Sequence, residues 1–488
     1  MPDSSSAGRL RFDVTFPQRA PAEPVEDAPA LRLVVIGDFS GASGGEPVAR
    51  RVDIDTLDAV FSSWQASLIT SDAPPLALRT LEDFHPDSLL ERHPVLAARM
   101  ALRARLQAPA TAAAALAELR FEAEGAARLP SDPGATAAAE SPGDTLSRLL
   151  GGAVAKPAAA PRSPPRSDPE ARVERLMREV TAGSVSAASS PEAREALVQL
   201  EADLTRRLRG ILQDPRVQAL EAAWRSLDRL VREADDSVRL HVINASPLEL
   251  AADLDRSPPP LASALGRRLE PLAPSLIVVL HTFDASSLPS LSAYARLAAA
   301  LRTALVAGGS PHLVGCASFA RQPHVWDWTA PSGADAEAFA AFRRTSEAGH
   351  IGLALPRFLL RQPYGAGSDP VSHLAFEEID PAAPEPALLW GNSAVLCAHL
   401  LLLAAQQEEP LDGISGGQVD GLPLYRITQD GEAGVVPPAE AWLSERDADA
   451  ILRHGLIPVL SVRGSDTVLL PSLRSLAEPA TALPFRQD

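Results

Sequence analysis

The sequence predicts an α/β protein, α and β mixed, with mixed, partly parallel sheets flanked by helices in two folded parts joined by a linker. Three observations carry this. Strand-length apolar runs alternate with helical periodicity: Ser275–Leu280, the helical stretch Leu288–Ala307 and His312–Ala317 read together as a βαβ unit. With 46% hydrophobic and 22% charged residues, the 488 residues carry enough apolar side chain for more than one core. Eight of the 45 prolines fall between Leu129 and Glu170 among many Ala, Ser and Gly, a composition that cannot bury a core of its own. The expected division is therefore 1–128, a linker over 129–170, and 171–488.

Taken in order, Leu10, Phe12, Val14 and Phe16 alternate with Arg11, Asp13 and Thr15, the period of a half-buried strand. Pro17 ends it, and a Pro/Ala/Glu tether runs to Pro29. A lone tethered strand must pair with a sheet, in its own chain or in a neighbour. Leu31–Ile36 is a continuous apolar run stopped by Gly37-Asp38, as expected of a central strand. Ile54, Leu57, Val60, Phe61 and Trp64 recur at helical spacing after Asp53 and Asp55, which suit a cap. Leu76–Leu81 reads as a strand, and Pro86 opens a helix that runs through Pro94 to Met100. This first α/β segment ends near Gln107, with alanine-rich, partly helical sequence over 108–130.

Within the linker, Thr145-Leu-Ser-Arg-Leu-Leu150 is an apolar island with Leu146, Leu149 and Leu150 at one-turn spacing, a pattern common to docking peptides. Helical pattern then runs through 171–235, the last stretch starting at Asp214-Pro215 and carrying Trp224. A strand is expected at Leu240–Ile243, a buried helix over Ala387–Ala405, a turn over Gly413–Gly417, and short strands near Val435, Ile457–Val462 and Thr467–Leu470.

A formal charge of −17 argues against a nucleic acid or an anionic membrane as main partner. Lys156 is the only lysine, and the arginines are scattered. Two cysteines, Cys316 and Cys397, read as buried free thiols in a reducing compartment, and Met1–Ala20 lacks the apolar core of a signal peptide. Ala387–Ala405 contains Gly391, Asn392, Ser393 and His399 and has no basic flank, so it is expected inside a domain and not across a bilayer. A soluble, cytoplasmic protein is expected.

Two places could carry enzyme chemistry. Gly37–Gly45 follows a strand and is glycine-rich, but lacks both Gly-x-x-x-x-Gly-Lys and Gly-x-Gly-x-x-Gly; a turn leaving a sheet explains it better than a nucleotide cradle. His281 and Asp284 stand at a strand end, where α/β sheets place ligands, and read either as a metal or acid–base pair or as a polar strand end. His85 and His93 lie eight apart, beyond the reach of two ligands on one turn. Trp326 and Trp328 read as core or interface anchors, and Tyr364–Gly367 as a turn. No catalytic residue, metal site or cofactor follows from these.

Several stretches together resemble the contractile sheath proteins of bacterial type VI secretion systems. The N-terminal part resembles the small subunit (TssB, or VipA type) through Arg9–Phe16, the strand and turn Leu31–Gly41 with Gly37, Asp38 and Phe39, Arg51–Asp55, and Leu81–Asp87 with Asp83, Phe84 and Pro86. The C-terminal part resembles the large subunit (TssC, or VipB type) through Asp214–Leu227 with Trp224 and Gly352–Gly365 with Pro356, Arg357, Phe358, Pro363, Tyr364 and Gly365. Phe376–Glu378, Leu389–Asn392 with Trp390, Gly391 and Asn392, and Gly455–Pro458 continue the match. The resemblance implies a fusion of two sheath-type domains, a non-enzymatic building block that assembles by pairing strands between subunits, Leu10–Phe16 among them. It implies as partners other sheath subunits, the inner tube, the baseplate and an AAA+ unfoldase, which would read the Leu146, Leu149 and Leu150 island. It also implies a large-subunit part shortened at its C-terminal end. An adaptor for the unfoldase or baseplate would share the same fold.

Overall fold

The structure, a computed structural model, describes residues 31–41, 47–70, 72–127, 190–380, 387–411, 414, 416–429 and 432–486. The expected strand Leu10–Phe16, the expected linker 129–170 with its island at 146–150, and the helical pattern expected over 171–189 lie outside these residues. The strands in chain order are β1 (Leu31–Gly37), β2 (Ala49–Arg51), β3 (Ser67–Leu68), β4 (Leu76–Ala77), β5 (Val238–Asn244), β6 (Leu276–Phe283), β7 (Ala304–Gly309) and β8 (Ile351–Leu355). There follow β9 (Phe358–Leu359), β10 (Trp390–Gly391), β11 (Gly417–Val419), β12 (Tyr425–Gln429), β13 (Glu432–Val436), β14 (Ile457–Pro458), β15 (Leu460–Ser461) and β16 (Val468–Leu470). The chain divides into two units: Met1–Trp64, Ala222–Arg361 and Leu389–Asp488 in the first, Gln65–Glu221 and Gln362–Leu388 in the second.

In the first unit seven strands form one sheet in the order β14-β8-β7-β6-β1-β5-β2, parallel throughout except for β2. Continuous apolar runs suit the middle of such a sheet, because both faces are covered and no position needs a polar side chain. Val34, Ile36, Ile277, Val279, Leu305 and Leu353 pack on one face with the helices Pro247–Arg256, Ala264–Leu269 and Leu288–Leu301. The helix Ala394–Gln406 contacts β1, β6, β7 and β8, and none of its residues joins that cluster, so it covers the other face. It is buried nearly all round, as its sequence requires, and at 13 residues it spans about 20 Å. Among the described residues no helix is long and apolar enough to cross a membrane. The edge strand β2 is three residues long and exposes Arg51, a charge that guards an open edge.

Strand β1, from the N-terminal part of the sequence, lies between β5 and β6, two strands from beyond residue 190. It pairs with β5 along its whole length, from Leu31 opposite Val238 to Gly37 opposite Asn244. Its other edge pairs with β6 from Leu33 opposite Leu276 to Ile36 opposite Val279.

In the second unit, the helices Pro86–Arg92, Pro94–Gln107, Ala112–Ala127 and Pro191–Leu212 pack around Phe84, Leu89, Leu96, Leu102, Leu204 and Leu208. Residues 362–380 run as a loop with its own buried Tyr364, Leu374 and Phe376.

The helix expected over Ala387–Ala405 begins only at Ala394, after strand β10, and five further expectations about elements are corrected. The helix expected over Leu288–Ala307 ends at Leu301: Arg302 takes a left-handed conformation (φ 53°), and Ala304–Gly309 is strand β7, buried at every position. Helix propensity in an alanine-rich run gives way here to burial on both faces. The strand expected at His312–Ala317 is instead a 3₁₀ turn over Pro311–Val314, with the Ser310 side chain accepting from the His312 amide. The helix expected to pass through Pro94 breaks at His93, because each proline takes the first position of its own helix, where its missing N–H costs nothing. Of Leu76–Leu81 only β4 is strand, paired with β3, and a 3₁₀ turn starts at Leu81. Ile54, expected on a helical face, is exposed; the helix begins at Leu57, after a turn in which Asp53 Oδ1 accepts from the Thr56 amide (2.9 Å) and hydroxyl (2.7 Å).

Candidate functional site

The motif residues gather into three clusters, each inside one unit. The first closes strand β1. Asp38 Oδ1 accepts from the amides of Ser40 (3.2 Å) and Gly41 (2.9 Å), an Asx-type turn. The Phe39 amide donates to Asn244 Oδ1 (2.8 Å), and the Phe39 carbonyl accepts from the indole Nε1 of Trp224 (2.8 Å). Trp224 is fully buried, with its ring 4.0 Å from Phe61, 5.1 Å from Phe39 and 5.7 Å from Trp64 between centroids. Gly37, Asp38 and Phe39 thus make a turn that seats Trp224. A phosphate at this turn would meet the Asp38 carboxylate, which already takes the Ser40 and Gly41 amides and repels a second anion.

The second cluster joins β9 and β10. Gly391 pairs with Phe358 and Trp390 with Leu359. A Cβ on Gly391 would stand 2.8 Å from both the Leu360 side chain and the Phe358 ring, so this register needs glycine. Arg357 lies over the Trp390 ring at 5.8 Å and forms a two-pronged pair with Glu440 (2.6 and 3.1 Å). Asn392 works in two directions: its Nδ2 donates to the His281 carbonyl (2.9 Å), and its Oδ1 accepts from the Ala394 amide (3.0 Å) at the start of the helix Ala394–Gln406. The Ser393 hydroxyl donates to the Pro356 carbonyl.

His281 and Asp284 belong to this neighbourhood, yet each is used structurally. The His281 ring packs edge-on against Phe283 at 4.8 Å, and burial pushes its pKa down. Burial raises the Asp284 carboxyl, but hydrogen bonds from the Ser286 hydroxyl (2.7 Å) and the Ser287 amide (2.9 Å) outweigh it and hold the group below its ordinary value. Asp284 therefore shapes the turn into the helix Leu288–Leu301 and keeps its charge there. Cys316 and Cys397 are buried free thiols; burial pushes the first up to about 11 and the second to about 12, which leaves neither as a nucleophile at neutral pH.

The third cluster lies in the second unit. Asp83 shares a capping box with Thr80 and pairs with Arg92, while Phe84 is fully buried. His85 Nδ1 accepts from the Asp87 amide (3.2 Å), its Nε2 lies 3.6 Å from Asp369, and its ring stands edge-on to Tyr364 at 5.0 Å. Pro86 starts the helix. Asp87 reaches back to accept the Ser372 amide (3.0 Å). On the loop, the Tyr364 amide donates to Glu378 Oε2 (2.8 Å), the Ser368 hydroxyl donates to the Pro363 carbonyl, and a side chain on Gly365 would collide with the Glu377 carboxylate. His93 is buried, with Nε2 3.1 Å from Thr70 Oγ1, and stands at the opposite end of the helix Pro86–Arg92 from His85. Among the described residues no group of His, Cys, Asp or Glu is placed to hold a metal ion.

Asn244, Glu440 and Asp87 were not singled out by sequence reasoning, although each fixes a motif residue or its loop. Only Asn244 had a usable signal, a polar side chain ending an apolar strand. Trp326, expected as an anchor, is exposed and stacks on His324 at 4.3 Å; Trp328 packs on Phe319 and donates to the Gln322 carbonyl (2.8 Å).

The motif residues thus hold turns, registers and caps around a parallel-sheet core, and the sequence comparison gives the family. Residues 194–477 match the VipB family, described as EvpB/VC_A0108, tail sheath N-terminal domain, and the chain belongs to it. It is 30% identical over 315 residues to the type VI secretion system sheath protein TssC1 of Pseudomonas aeruginosa, which covers 58% of this chain and 61% of that protein.

Proposed function

We propose that this protein is a structural subunit of a type VI secretion contractile sheath, built to be joined to other sheath subunits and to catalyse nothing. The observation that carries the reading is the family match over 194–477, which spans the Trp224 cluster's helix, the Pro356–Phe358 and Trp390–Asn392 pair and the Tyr364 loop. The residues an enzyme would need, Asp38, His281 and Asp284, hold a turn, a core contact and a helix start.

In this reading the chain fuses a small-subunit-like part, 1–128, to a large-subunit-like part, 171–488. The fit of β1 between β5 and β6 supports it, since a strand of one part completes the sheet of the other. Leu10–Phe16 would pair with a sheet of a neighbouring subunit, and Leu146, Leu149 and Leu150 would offer an unfoldase a docking point. Inner tube and baseplate are the remaining partners, all in the cytoplasm.

Purified full-length chain, alone and mixed with complete small and large sheath subunits, is the test, read by sedimentation and negative-stain electron microscopy. Co-sedimentation into tubular or ring assemblies is expected. A chain that stays monomeric in both conditions overturns the proposal, and so does saturable nucleotide binding lost in Asp38→Ala.

A further inference from the structure

The second unit carries a groove of 560 Å³ between the helices Ala112–Ala127 and Pro191–Leu212. Its floor is apolar, made by Leu116, Leu119, Ala196 and Leu200. Its rim is charged: Arg120 and Glu192 pair across one end (2.8 Å), and Arg207 and Asp203 pair at the other (2.8 Å), with Glu195 between them on the helix surface.

The position of the groove in the chain is what points to an occupant. The Ala112–Ala127 helix ends where the Pro-rich segment begins, and Pro191–Leu212 starts 21 residues after that segment ends at Glu170. The apolar island within the segment stands 18 residues after Ala127 and 40 residues before Ser190. Chains of those lengths reach about 25 Å and about 35 Å, ample for a groove within three turns of Ser190. We propose that Thr145–Leu150 of the same chain docks in this groove. Leu146, Leu149 and Leu150 would meet Leu116, Leu119 and Leu200, and Arg148 would meet Glu195. Closure by two short tethers gives an effective concentration of the order of millimolar. Even a peptide binding at about 0.1 mM is then docked about ten times as often as free. The inference does not rest on the sheath reading, because it uses only this chain's own groove and segment.

Limited trypsin digestion of the full chain tests it, read by mass spectrometry at Arg148 against Arg162 and Arg166, with a peptide of residues 140–170 setting the intrinsic ratio. Cleavage at Arg148 should be slowed about tenfold relative to that ratio. Leu119→Asp and Ala196→Phe, which alter half-buried positions, should each restore the intrinsic ratio while the far-ultraviolet circular dichroism stays unchanged. A ratio in the full chain equal to the peptide's overturns the proposal, as does protection that survives both substitutions. Protection that grows with protein concentration overturns it too, by assigning the groove to a second copy. A Leu119→Cys, Leu146→Cys chain should form an intrachain disulfide under mild oxidation, the native thiols being buried.

Discussion

At the scale of single residues, Trp224 couples burial to a hydrogen bond. Its indole fills space among Phe39, Phe61 and Trp64 and satisfies the Phe39 carbonyl. Trp224→Ala is expected to cost roughly 3–5 kcal/mol in urea unfolding, and Trp224→Phe roughly 1–3 kcal/mol for the unpaired carbonyl alone. Equal losses for the two variants would contradict this account. His399 behaves differently. It sits buried in an otherwise apolar helix, and burial first, then the Arg229 charge, pushes its pKa down to about 4, with Asp420 opposing. In the unfolded chain the imidazole takes up a proton near pH 6.5, and in the folded chain only near 4. Between these values the unfolded state binds more protons, so stability falls as the pH drops from about 6.5 to about 4, by an amount of the order of 3 kcal/mol. The urea midpoint of His399→Leu should lack that part of the pH dependence; an unchanged slope would rule it out.

Elements show where local signals suffice and where they fail. Proline at the first helical position was legible at Pro86 and Pro215, and the apolar runs of β1, β5 and β6 were legible as strands. Strand β7 was not. Its Ala-Leu-Val-Ala-Gly-Gly sequence continues the alanine-rich helix before it, and only pairing with β6 and β8 makes it a strand. The loop at 362–380 was likewise invisible as a unit, because part of its fixing comes from side chains far away in the sequence. Asp87, nearly three hundred residues earlier, accepts the amides of Ser372 and His373, and Arg103 donates to the His373 carbonyl (3.0 Å). Asp87→Ala should raise amide exchange at residues 372 and 373 about tenfold while the helix Pro86–Arg92 keeps its protection, and Asp87→Asn should recover part of it. Unchanged exchange in the alanine variant would show that the loop is held by its own contacts.

For the molecule as a whole, the sheet of the first unit makes the N-terminal part indispensable. Removing β1 would leave the edges of β5 and β6 without partners and expose two rows of backbone donors and acceptors beside apolar side chains. Residues 171–488 produced alone should therefore be insoluble, and co-production of 1–128 as a separate chain should recover soluble protein in which both chains co-purify. A soluble, monomeric 171–488 with a cooperative unfolding transition would defeat this prediction.

By itself the sequence determined the fold class, the apolar cores of most elements and the family, because periodicity and short motifs are properties of neighbouring residues. Only the tertiary structure decided that β1 completes a sheet begun beyond residue 190, that β7 is a strand, and that Asn244, Glu440 and Asp87 fix the motif residues or their loop. Those outcomes depend on pairing between positions tens to hundreds of residues apart. The energy of such pairing appears only when the chain has folded and both partners have left water.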